Sequence, residues 1–457
     1  MCDFLLPTSV QAARVRYMKR LIMTQLQQWK NFKNRKPLVL DGVRQVGKTY
    51  SLQELGKDFN NCHYFNLEKD INLHKIFSQD LDPTRIIADL ELVSNRSIDR
   101  KKDLLIFDEI QECPKALTSL KYFNEEMTDL AICSAGSLLG VHLNQGSFPV
   151  GKVDILRMHP LNFKEFLIAC NEEKVVQAMD QAQDKPLPVA LHDKLWNLLK
   201  HYFVVGGMPE VVKAYIGRTG DLLAAFTRVR SLQEGLYKGY LADMAKHSGK
   251  VNAMHLERVF KAVPEQLSKE QDSSAKRFQF KNVVPNVKEY RRLASSIDWL
   301  EKAGMIVKVS IANQALLPFS AYCKESMFKL FAFDVGMLGA ISNLSPQTIL
   351  NYEYGSYKGY FAENFVLQEL FASGLGPLYS WQESKAQVEF LLEKDDQIIP
   401  IEVKAGNSTK AQSLGVFAKK YSPPYRVKVT GKPQSESNDG SLKNCPLYLA
   451  GFYLPRC

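Results

Sequence analysis

The chain has 457 residues, of which 45% are hydrophobic and 24% charged, and this composition is typical of a globular protein rather than a disordered or fibrous one. Its length exceeds one ordinary core, so we expect roughly two to four domains. No run of about 18 apolar residues occurs, which predicts that the chain does not span a membrane. The formal net charge of +10 attracts polyanions, although a mildly basic, solvated surface accounts for it equally well.

Eight cysteines are scattered along the chain, and none forms a CxxC pair or stands at zinc-finger spacing with histidine. This scatter favours reduced thiols over a disulfide framework or a cysteine-based metal site. The first residues, MCDFLLPTSVQ, have no basic start and only a short apolar stretch, so we expect no signal peptide. Together these features predict a cytoplasmic protein.

The first predicted element is an amphipathic helix over residues 13–35, where apolar side chains recur every three or four residues before Pro37. The apolar run LVL at residues 38–40 then predicts a short buried strand. This strand leads directly into a glycine-containing loop, and the segment after the loop has helical spacing.

Three further apolar runs predict strands, at residues 63–70, 103–110 and 129–137, with helical segments between them. Strands that alternate with helices form a parallel sheet covered by helices on both faces. The predicted fold class is therefore α/β.

The middle of the chain departs from this alternation. Residues 171–194 are polar and helical at best, and residues 195–267 have helical spacing apart from GGMPE at 206–210. Residues 268–280 are a candidate polar loop, and residues 286–309 predict a helix followed by a strand.

Beyond residue 350 the pattern predicts one helix followed by several strands. The predicted strands are AQVEFLLEK, QIIPIEVKAG, YRVKVTG and a final CPLYLAGFYL, with a helix before YRVKVTG and a loop at residues 432–444 before the last strand. Short apolar or alternating runs bounded by polar segments are typical of strands.

The segment LVLDGVRQVGKTYSL contains Gly-x-x-x-x-Gly-Lys-Thr, directly after an apolar strand and before a helix. Glycines let backbone amides close around phosphate oxygens, a lysine ammonium neutralises these oxygens, and a threonine hydroxyl is a magnesium ligand. The pattern therefore predicts a site for Mg-ATP. Its predicted residues are Gly42, Val43, Arg44, Gln45, Val46, Gly47, Lys48, Thr49 and Tyr50. Arg44 is equally compatible with a surface position.

An acidic pair follows the apolar strand LLIF and predicts the other half of the ATP site. Asp108 is expected to hold the magnesium water shell together with Thr49, and Glu109 to polarise the attacking water. Ser137 ends the strand AICSAG at the sheet edge where ligands bind, so it either senses the γ-phosphate or belongs to a small-residue turn. With Lys48, these residues are the predicted catalytic set.

On these residues, the chain resembles the prokaryotic AAA-type (AAA+) ATPases of the family that carries a C-terminal domain of unknown function. The resemblance is carried by DGVRQVGKT, LLIFDEIQECP, CSAGSLLG, GKVDILRMHPLNFKEFL, GGMPEVVKAY, KLFAFDVGML and AENFVLQEL. It implies an AAA+ core at residues 14–165, a helical lid region at 166–267, a winged-helix-like segment at 268–345 and a C-terminal α/β nuclease-like domain at 346–457.

Members of this family often carry an arginine after the glycine at position 151, where this chain has Lys152. Arg157 is then the next candidate for an arginine that reaches the γ-phosphate of a neighbouring subunit. A homo-oligomer and a monomer both remain open on this pattern.

A second constellation lies in the C-terminal part. Glu402 and Lys404 share one face of their predicted strand because side chains alternate with a period of two, and Glu389 falls on an adjacent strand. Two carboxylates can bind magnesium while a lysine orients water, so Glu389 and Glu402, with Glu363 and Lys404, are a candidate second magnesium site. The pattern resembles that of PD-(D/E)XK nucleases, which usually have aspartate where Glu389 stands. A solvated, charged strand face is the alternative.

Three functional hypotheses follow, all with ATP and Mg as cofactors. The first is an Mg-dependent ATPase that acts as a nucleotide-driven switch on DNA or RNA. The second is an ATP-gated module that holds a protein partner through its winged-helix or C-terminal domain, with an inactive nuclease-like domain. The third is a metal-dependent nuclease regulated by ATP. Fold alone does not separate them.

Overall fold

The structure, a computed structural model, describes residues 18–137, 139–142, 148–182, 186–217, 220–271, 277–351, 357–405 and 412–456. Residues 13–17 of the first predicted helix lie outside these ranges. Within them, no helix is both long and apolar enough to cross a membrane, and the cysteines found there are free thiols. Two β-sheets, with a helical region between them in sequence, make up the fold.

The first sheet has five strands. They are β1 (Leu38–Asp41), β2 (Cys62–Asn66), β3 (Leu104–Asp108), β4 (Ala131–Gly136) and β5 (Asp154–Arg157). The order across the sheet is β2-β3-β4-β1-β5, and every neighbouring pair is parallel. Strands β3 and β4 are buried along their whole length, as expected when helices cover both faces. The predicted α/β core is confirmed, and β5 is a strand that we did not predict.

Six α-helices lie in the described residues of this part of the chain. They are α1 (Ile22–Asn31), α2 (Lys48–Gly56), α3 (Leu73–Gln79), α4 (Pro83–Ser94), α5 (Pro114–Glu126) and α6 (Leu139–His142). Side chains alternate along β1, so Leu38 and Leu40 pack on the face covered by α1 and α2, whereas Val39 packs on the face covered by α3, α4 and α5. The first predicted helix is shorter than expected in the described residues, since α1 begins only at Ile22.

The middle of the chain is helical. Its helices are α7 (Phe163–Ala169), α8 (Glu173–Asp180), α9 (Val189–Val205), α10 (Pro209–Ile216), α11 (Leu222–Ser248) and α12 (Lys250–Gln271). The GGMPE segment interrupts them as predicted, because Pro209 begins α10 in the first-turn position that tolerates proline. Helix α12 continues to Gln271, so the loop predicted at residues 268–280 starts later than expected.

The second sheet has eight strands of mixed direction. They are β6 (Ile306–Ala312), β7 (Cys323–Ala332), β8 (Tyr379–Glu383), β9 (Ala386–Lys394), β10 (Gln397–Val403), β11 (Arg426–Thr430), β12 (Ser435–Glu436) and β13 (Leu442–Pro446). Their order is β12-β13-β11-β10-β9-β8-β6-β7. The helices of this part are α13 (Tyr290–Lys302), α14 (Val335–Ile341), α15 (Pro346–Leu350), α16 (Tyr357–Ala372), α17 (Gln412–Tyr421) and α18 (Ala450–Tyr453).

Helix α13 is followed by the antiparallel pair β6–β7, and the winged-helix-like segment at residues 268–345 stays a prediction. Strand β6 also pairs in parallel with β8, so this hairpin belongs to the same sheet as the C-terminal strands. The division predicted between residues 345 and 346 therefore separates strands that share one sheet. One apolar core likewise runs from α1 through the helical region into this sheet.

The final predicted strand, CPLYLAGFYL, is wrong over most of its length. Strand β13 ends at Pro446, and the chain continues as a 3-10 turn at Leu447–Leu449 and then as α18. A side chain at position 451 would meet the Glu369 carboxylate, since a Cβ there would lie 2.2 Å from Oε2, so the glycine allows the close approach of α18 to α16. A short apolar run does not distinguish a buried strand from a buried helical segment.

Candidate nucleotide site and C-terminal charge cluster

The loop between β1 and α2 has the backbone that its glycines predict. Gly42 and Gly47 have φ angles of +155° and +101°, which favour glycine. A Cβ at position 42 would lie 2.4 Å from the carbonyl oxygen of Met158, so only glycine fits there. The loop therefore passes close to Met158, the residue that follows β5. It then leads into the N-terminus of α2, where backbone amides favour a phosphate.

Lys48 begins α2, and its side chain folds back over the loop. Its Nζ donates to the carbonyl oxygens of Gly42 at 2.8 Å and Val43 at 3.1 Å. Burial lowers the pKa of Lys48, and the nearby charges of Glu109 and Asp41 oppose this shift. The ammonium is thus held by neutral acceptors on the loop, which a phosphate oxygen can replace.

Asp108 lies at the carboxyl end of β3 beside the hydroxyl of Thr49. The Thr49 hydroxyl donates to the carboxylate at 3.0 Å, and the hydroxyl of Tyr64 donates to it at 2.5 Å. Burial and the Asp108 acceptor raise the pKa of Tyr64 to about 12, so Tyr64 remains a donor at neutral pH. The adjacent carboxylate and hydroxyl oxygens of Asp108 and Thr49 fit the hard oxygen ligands that Mg²⁺ prefers.

Glu109 and Ser137 also meet at this edge of the sheet. Glu109 has a left-handed backbone (φ 52°), and its carboxylate accepts from Ser137 Oγ at 3.3 Å and from Gln111 Nε2 at 2.6 Å. The structure therefore brings all four predicted catalytic residues together around the loop. Tyr64, inside β2, and Gln111, three residues after Asp108, were missed, and Gln111 is the one that stands close in sequence to the predicted acids.

Two residues of the predicted loop point elsewhere. Arg44 reaches α11, where its Nη1 donates to Asp243 at 2.7 Å, and its guanidinium lies 3.6 Å from Glu68. The hydroxyl of Tyr240, also on α11, donates to the backbone oxygen of Arg44 at 3.1 Å. Tyr50 is exposed on α2. Arg44 thus connects the loop to the helical region.

Arg157, the candidate arginine finger, lies at the end of β5. Its Nε is 3.8 Å from the Asp41 carboxylate of its own chain, and its side chain is 47% exposed. A Cβ at Gly304, in the turn between α13 and β6, would lie 3.0 Å from its Nη2. Arg157 therefore stands where the first sheet meets the second part of the chain.

The four predicted C-terminal site residues also converge, together with two lysines that the sequence patterns did not reveal. We call this group the C-terminal charge cluster; its members are Lys329, Glu363, Glu389, Glu402, Lys404 and Lys428. The three carboxylates are buried. Glu402 and Lys428 are register partners on the parallel strands β10 and β11, which explains their proximity.

Ammonium groups lie between the carboxylates of this cluster. Lys404 Nζ is 3.6 Å from Glu389 and 3.4 Å from Glu402, and Lys329 Nζ is 3.2 Å from Glu363. Burial raises the pKa of Glu363 and of Glu402. One oxygen, Glu402 Oε2, is buried without a hydrogen-bond partner among the described residues, where Lys428 contributes a nearby positive charge.

No set of three or more His, Cys, Asp or Glu residues in the described part of the chain is arranged to hold a metal ion. The residues of the predicted second magnesium site do lie close together, but their carboxylates face lysine ammonium groups instead of an open position for a metal ion. That metal site stays a prediction.

The fold and the nucleotide site define a P-loop ATPase domain of the AAA type, with β1 leading into the loop and β3 delivering the acids. Residues 34–167 match the family model described as an AAA domain. Residues 197–348 and 358–448 match two further models, each described as a domain of unknown function (DUF8612 and DUF4143). No curated protein matched the chain.

The chain is similar, at low sequence identity, to several solved structures. A Walker-type ATPase of Pyrococcus abyssi is 15% identical, with 72% of this chain and 97% of that chain covered and a TM-score of 0.44. AMPPCP-bound DnaA from Aquifex aeolicus is 13% identical, with 61% and 86% covered and a TM-score of 0.26. The Aeropyrum pernix Orc1 protein in complex with DNA is 13% identical, with 73% and 95% covered and a TM-score of 0.26. Similarities at this level do not bear on what this chain binds.

Proposed function

We propose that the chain is a magnesium-dependent ATPase that uses nucleotide turnover as a conformational switch. The observation that carries this proposal is the meeting of Lys48, Thr49, Asp108, Glu109 and Ser137 at one edge of the parallel sheet. This set supplies a cation for the phosphates, oxygen ligands for magnesium and a carboxylate for the attacking water, which are the parts that phosphoryl transfer requires.

Each residue has a defined part in this mechanism. Lys48 exchanges the neutral carbonyls of Gly42 and Val43 for charged phosphate oxygens, which are stronger acceptors for a buried ammonium. Thr49 and Asp108 would hold Mg²⁺, which would supply positive charge to the phosphates. Glu109 orients the water, and Ser137 holds the Glu109 carboxylate in place.

The switch part of the proposal is supported by the contacts of Arg44. Its side chain binds Asp243 and its backbone oxygen accepts from Tyr240, so α11 is bound to the phosphate loop at two points. A loop that rearranges around phosphates alters both contacts. Helix α11 is 27 residues long, and its Arg230 donates to the backbone oxygen of Leu344, just before α15. The helix therefore connects the phosphate loop with helices that follow the second sheet's first two strands.

Phosphate release from ATP tests this proposal, with the wild type and Lys48→Ala measured in Mg²⁺ and in EDTA, and with DNA, RNA or no polyanion added. We expect turnover that requires Mg²⁺ and that Lys48→Ala abolishes. Stimulation by DNA or RNA alone identifies the partner class, and its salt dependence reports phosphate contacts. Absence of wild-type turnover under all three conditions contradicts the proposal.

For the C-terminal part we propose that it holds a protein partner and has no nuclease activity. The observation that favours the absence of nuclease activity is the pairing of Lys404 with both Glu389 and Glu402, which leaves the carboxylates neutralised within the protein. Thermal unfolding with millimolar Mg²⁺ or Mn²⁺, in the Lys48→Ala background, is expected to be unchanged, and plasmid DNA is expected to remain uncut. Cleavage that Glu402→Gln abolishes contradicts this role and supports the nuclease hypothesis.

A further inference from the structure

Arg20 lies directly beneath the phosphate loop, outside the predicted site. It is 7% exposed and binds three parts of the chain at once. Its Nη1 donates to the backbone oxygen of Val46 at 2.9 Å, its Nη2 donates to that of His159 at 2.6 Å, and its Nε donates to Glu165 at 3.0 Å. A guanidinium presents these donors in one rigid plane, so the loop is fixed relative to the segment after β5.

The contact with Val46 has a direct consequence for the phosphate loop. The Val46 carbonyl and the Gly47 N–H belong to one planar trans peptide, so they point in opposite directions. When Arg20 draws the carbonyl toward its buried side, the Gly47 N–H turns away from that side. The amide direction on which phosphate binding depends is therefore set by Arg20.

Glu165 holds Arg20 in this position. Both side chains of the ion pair are about as buried as core residues, at 5% and 6% exposure. The Glu165 carboxylate also accepts from the backbone amides of Leu21 at 2.6 Å and Asn162 at 3.1 Å. Because Asn162 caps α7 through a reciprocal capping box, the position of Arg20 depends on the first turn of α7.

The first turn of α7 is bound in turn by the C-terminal half of the chain. Glu369, a fully buried residue of α16, accepts from the backbone amide of Phe163 at 2.8 Å. Gly451 of α18 lies close to its other carboxylate oxygen, since a Cβ at that position would be 2.2 Å from Oε2. Helix α16 also carries Glu363 of the C-terminal charge cluster.

We infer that Arg20 is a positioning residue of the phosphate loop and that α16 controls it through Glu369 and Glu165, so the C-terminal half of the chain regulates nucleotide binding. The inference rests on the proposed ATPase function. A movement of α16 loosens the first turn of α7, then the Arg20–Glu165 pair, and then the Val46–Gly47 peptide.

Titration calorimetry with Mg-AMPPCP, together with kcat and KM for ATP, tests this inference. Arg20→Met is expected to weaken analogue binding about tenfold, as for the loss of one charge-assisted hydrogen bond. Arg20→Lys keeps the charge but not the planar fork, so a smaller loss is expected. Glu369→Leu is expected to weaken binding severalfold from a distance, and in both Arg20 variants KM rises more than kcat falls.

Two variants of the same helix are matched controls. Glu369→Gln retains an oxygen that accepts from Phe163, so it should bind the analogue as the wild type does. Asn364→Leu removes buried hydrogen bonds to both backbone groups of Ala332, which lie within the C-terminal half, so it should lower Tm without changing analogue affinity.

Unchanged affinity in folded Glu369→Leu and Arg20→Lys, beside a wild type that binds and hydrolyses ATP, overturns the inference and leaves the ATPase function intact. Equal weakening in Asn364→Leu also overturns it, because the effect would then follow stability alone. A wild type that neither binds the analogue nor hydrolyses ATP overturns both. Glu369→Leu covers the case in which Arg20→Met does not fold.

Discussion

The phosphate-loop site and the C-terminal charge cluster both bring lysine and carboxylate side chains close together, but they satisfy these charges differently. At the loop, Lys48 is held by backbone carbonyls, and Asp108 and Glu109 are held by neutral donors such as Thr49 and Ser137. In the cluster, the contacts of Lys404 and Lys329 are with the carboxylates themselves.

This difference separates a site that needs a ligand from one that is complete without it. Opposite charges that face neutral groups can each gain from a ligand that carries phosphate and magnesium. Opposite charges that already face each other must first be separated in a desolvated environment, at considerable cost. We therefore expect substitutions at the loop to change catalysis and substitutions in the cluster to change stability.

The largest expected effect is on turnover. Glu109→Gln should reduce kcat for ATP by about 100-fold or more, because it removes the carboxylate that polarises water. It should retain binding of Mg-AMPPCP, since Lys48 and Thr49 are unaltered. Glu402→Gln makes the same chemical change in the cluster and should leave kcat unchanged. Equal losses in the two variants would contradict the proposed division between the regions.

The next effect is on unfolding free energy. Lys329→Met leaves the buried Glu363 carboxylate without the ammonium 3.2 Å away, so it should cost about 3 kcal/mol. Lys48→Met removes a lysine whose pKa is lowered by burial, and relief of that desolvation should offset the two lost carbonyl contacts to within about 1 kcal/mol. Urea unfolding without nucleotide measures both. A larger loss for Lys48→Met would reverse the comparison.

The sequence predicts the loop site well because its information is local. The phosphate loop spans Gly42–Thr49, and the acids directly follow the apolar strand that positions them. Period-two alternation likewise placed Glu402 and Lys404 on one face. In each case a few neighbouring residues specify both the element and the side chains that it presents.

What the sequence did not reveal depends on contacts between distant segments. Arg20 and Glu165 are 145 positions apart, and neither stands in a pattern that signals the other. Lys428 joined the cluster only through the register of β10 with β11. Strand β5 has the sequence DILR, so it lacks the apolar run that marked β1 and β3, and its Ile155 is exposed. Tertiary packing decides such elements.

The smallest expected effect, measured over a single pH unit, is a pH dependence that originates at the junction of the two regions. Burial raises the pKa of Glu369 to about 8, with Glu165 adding to the shift and the Phe163 amide opposing it. The folded chain thus keeps a proton that the unfolded chain releases near its ordinary pKa of 4.5. Stability from this group is full below that value and is lost as pH rises toward 8, by about 1.4 kcal/mol per pH unit.

A window between pH 6.5 and 7.5 isolates this effect. Asp334, whose pKa burial raises to about 6, has mostly ionised by its lower end, and His159, whose pKa burial lowers to about 4, is neutral in the folded chain throughout. The remaining contribution of His159 comes from the unfolded chain, where its ordinary pKa is 6.5, and it is the same in the wild type and in Glu369→Gln. Urea unfolding should show stability that falls with pH in the wild type and a flatter slope in Glu369→Gln, which has no proton to lose but keeps the acceptor for Phe163. Identical slopes would mean that Glu369 ionises as easily in the folded chain as in the unfolded one. The α16 contact with α7 would then be carried by a charged carboxylate that a neutral amide holds, and the junction would resemble the carboxylates of the loop site.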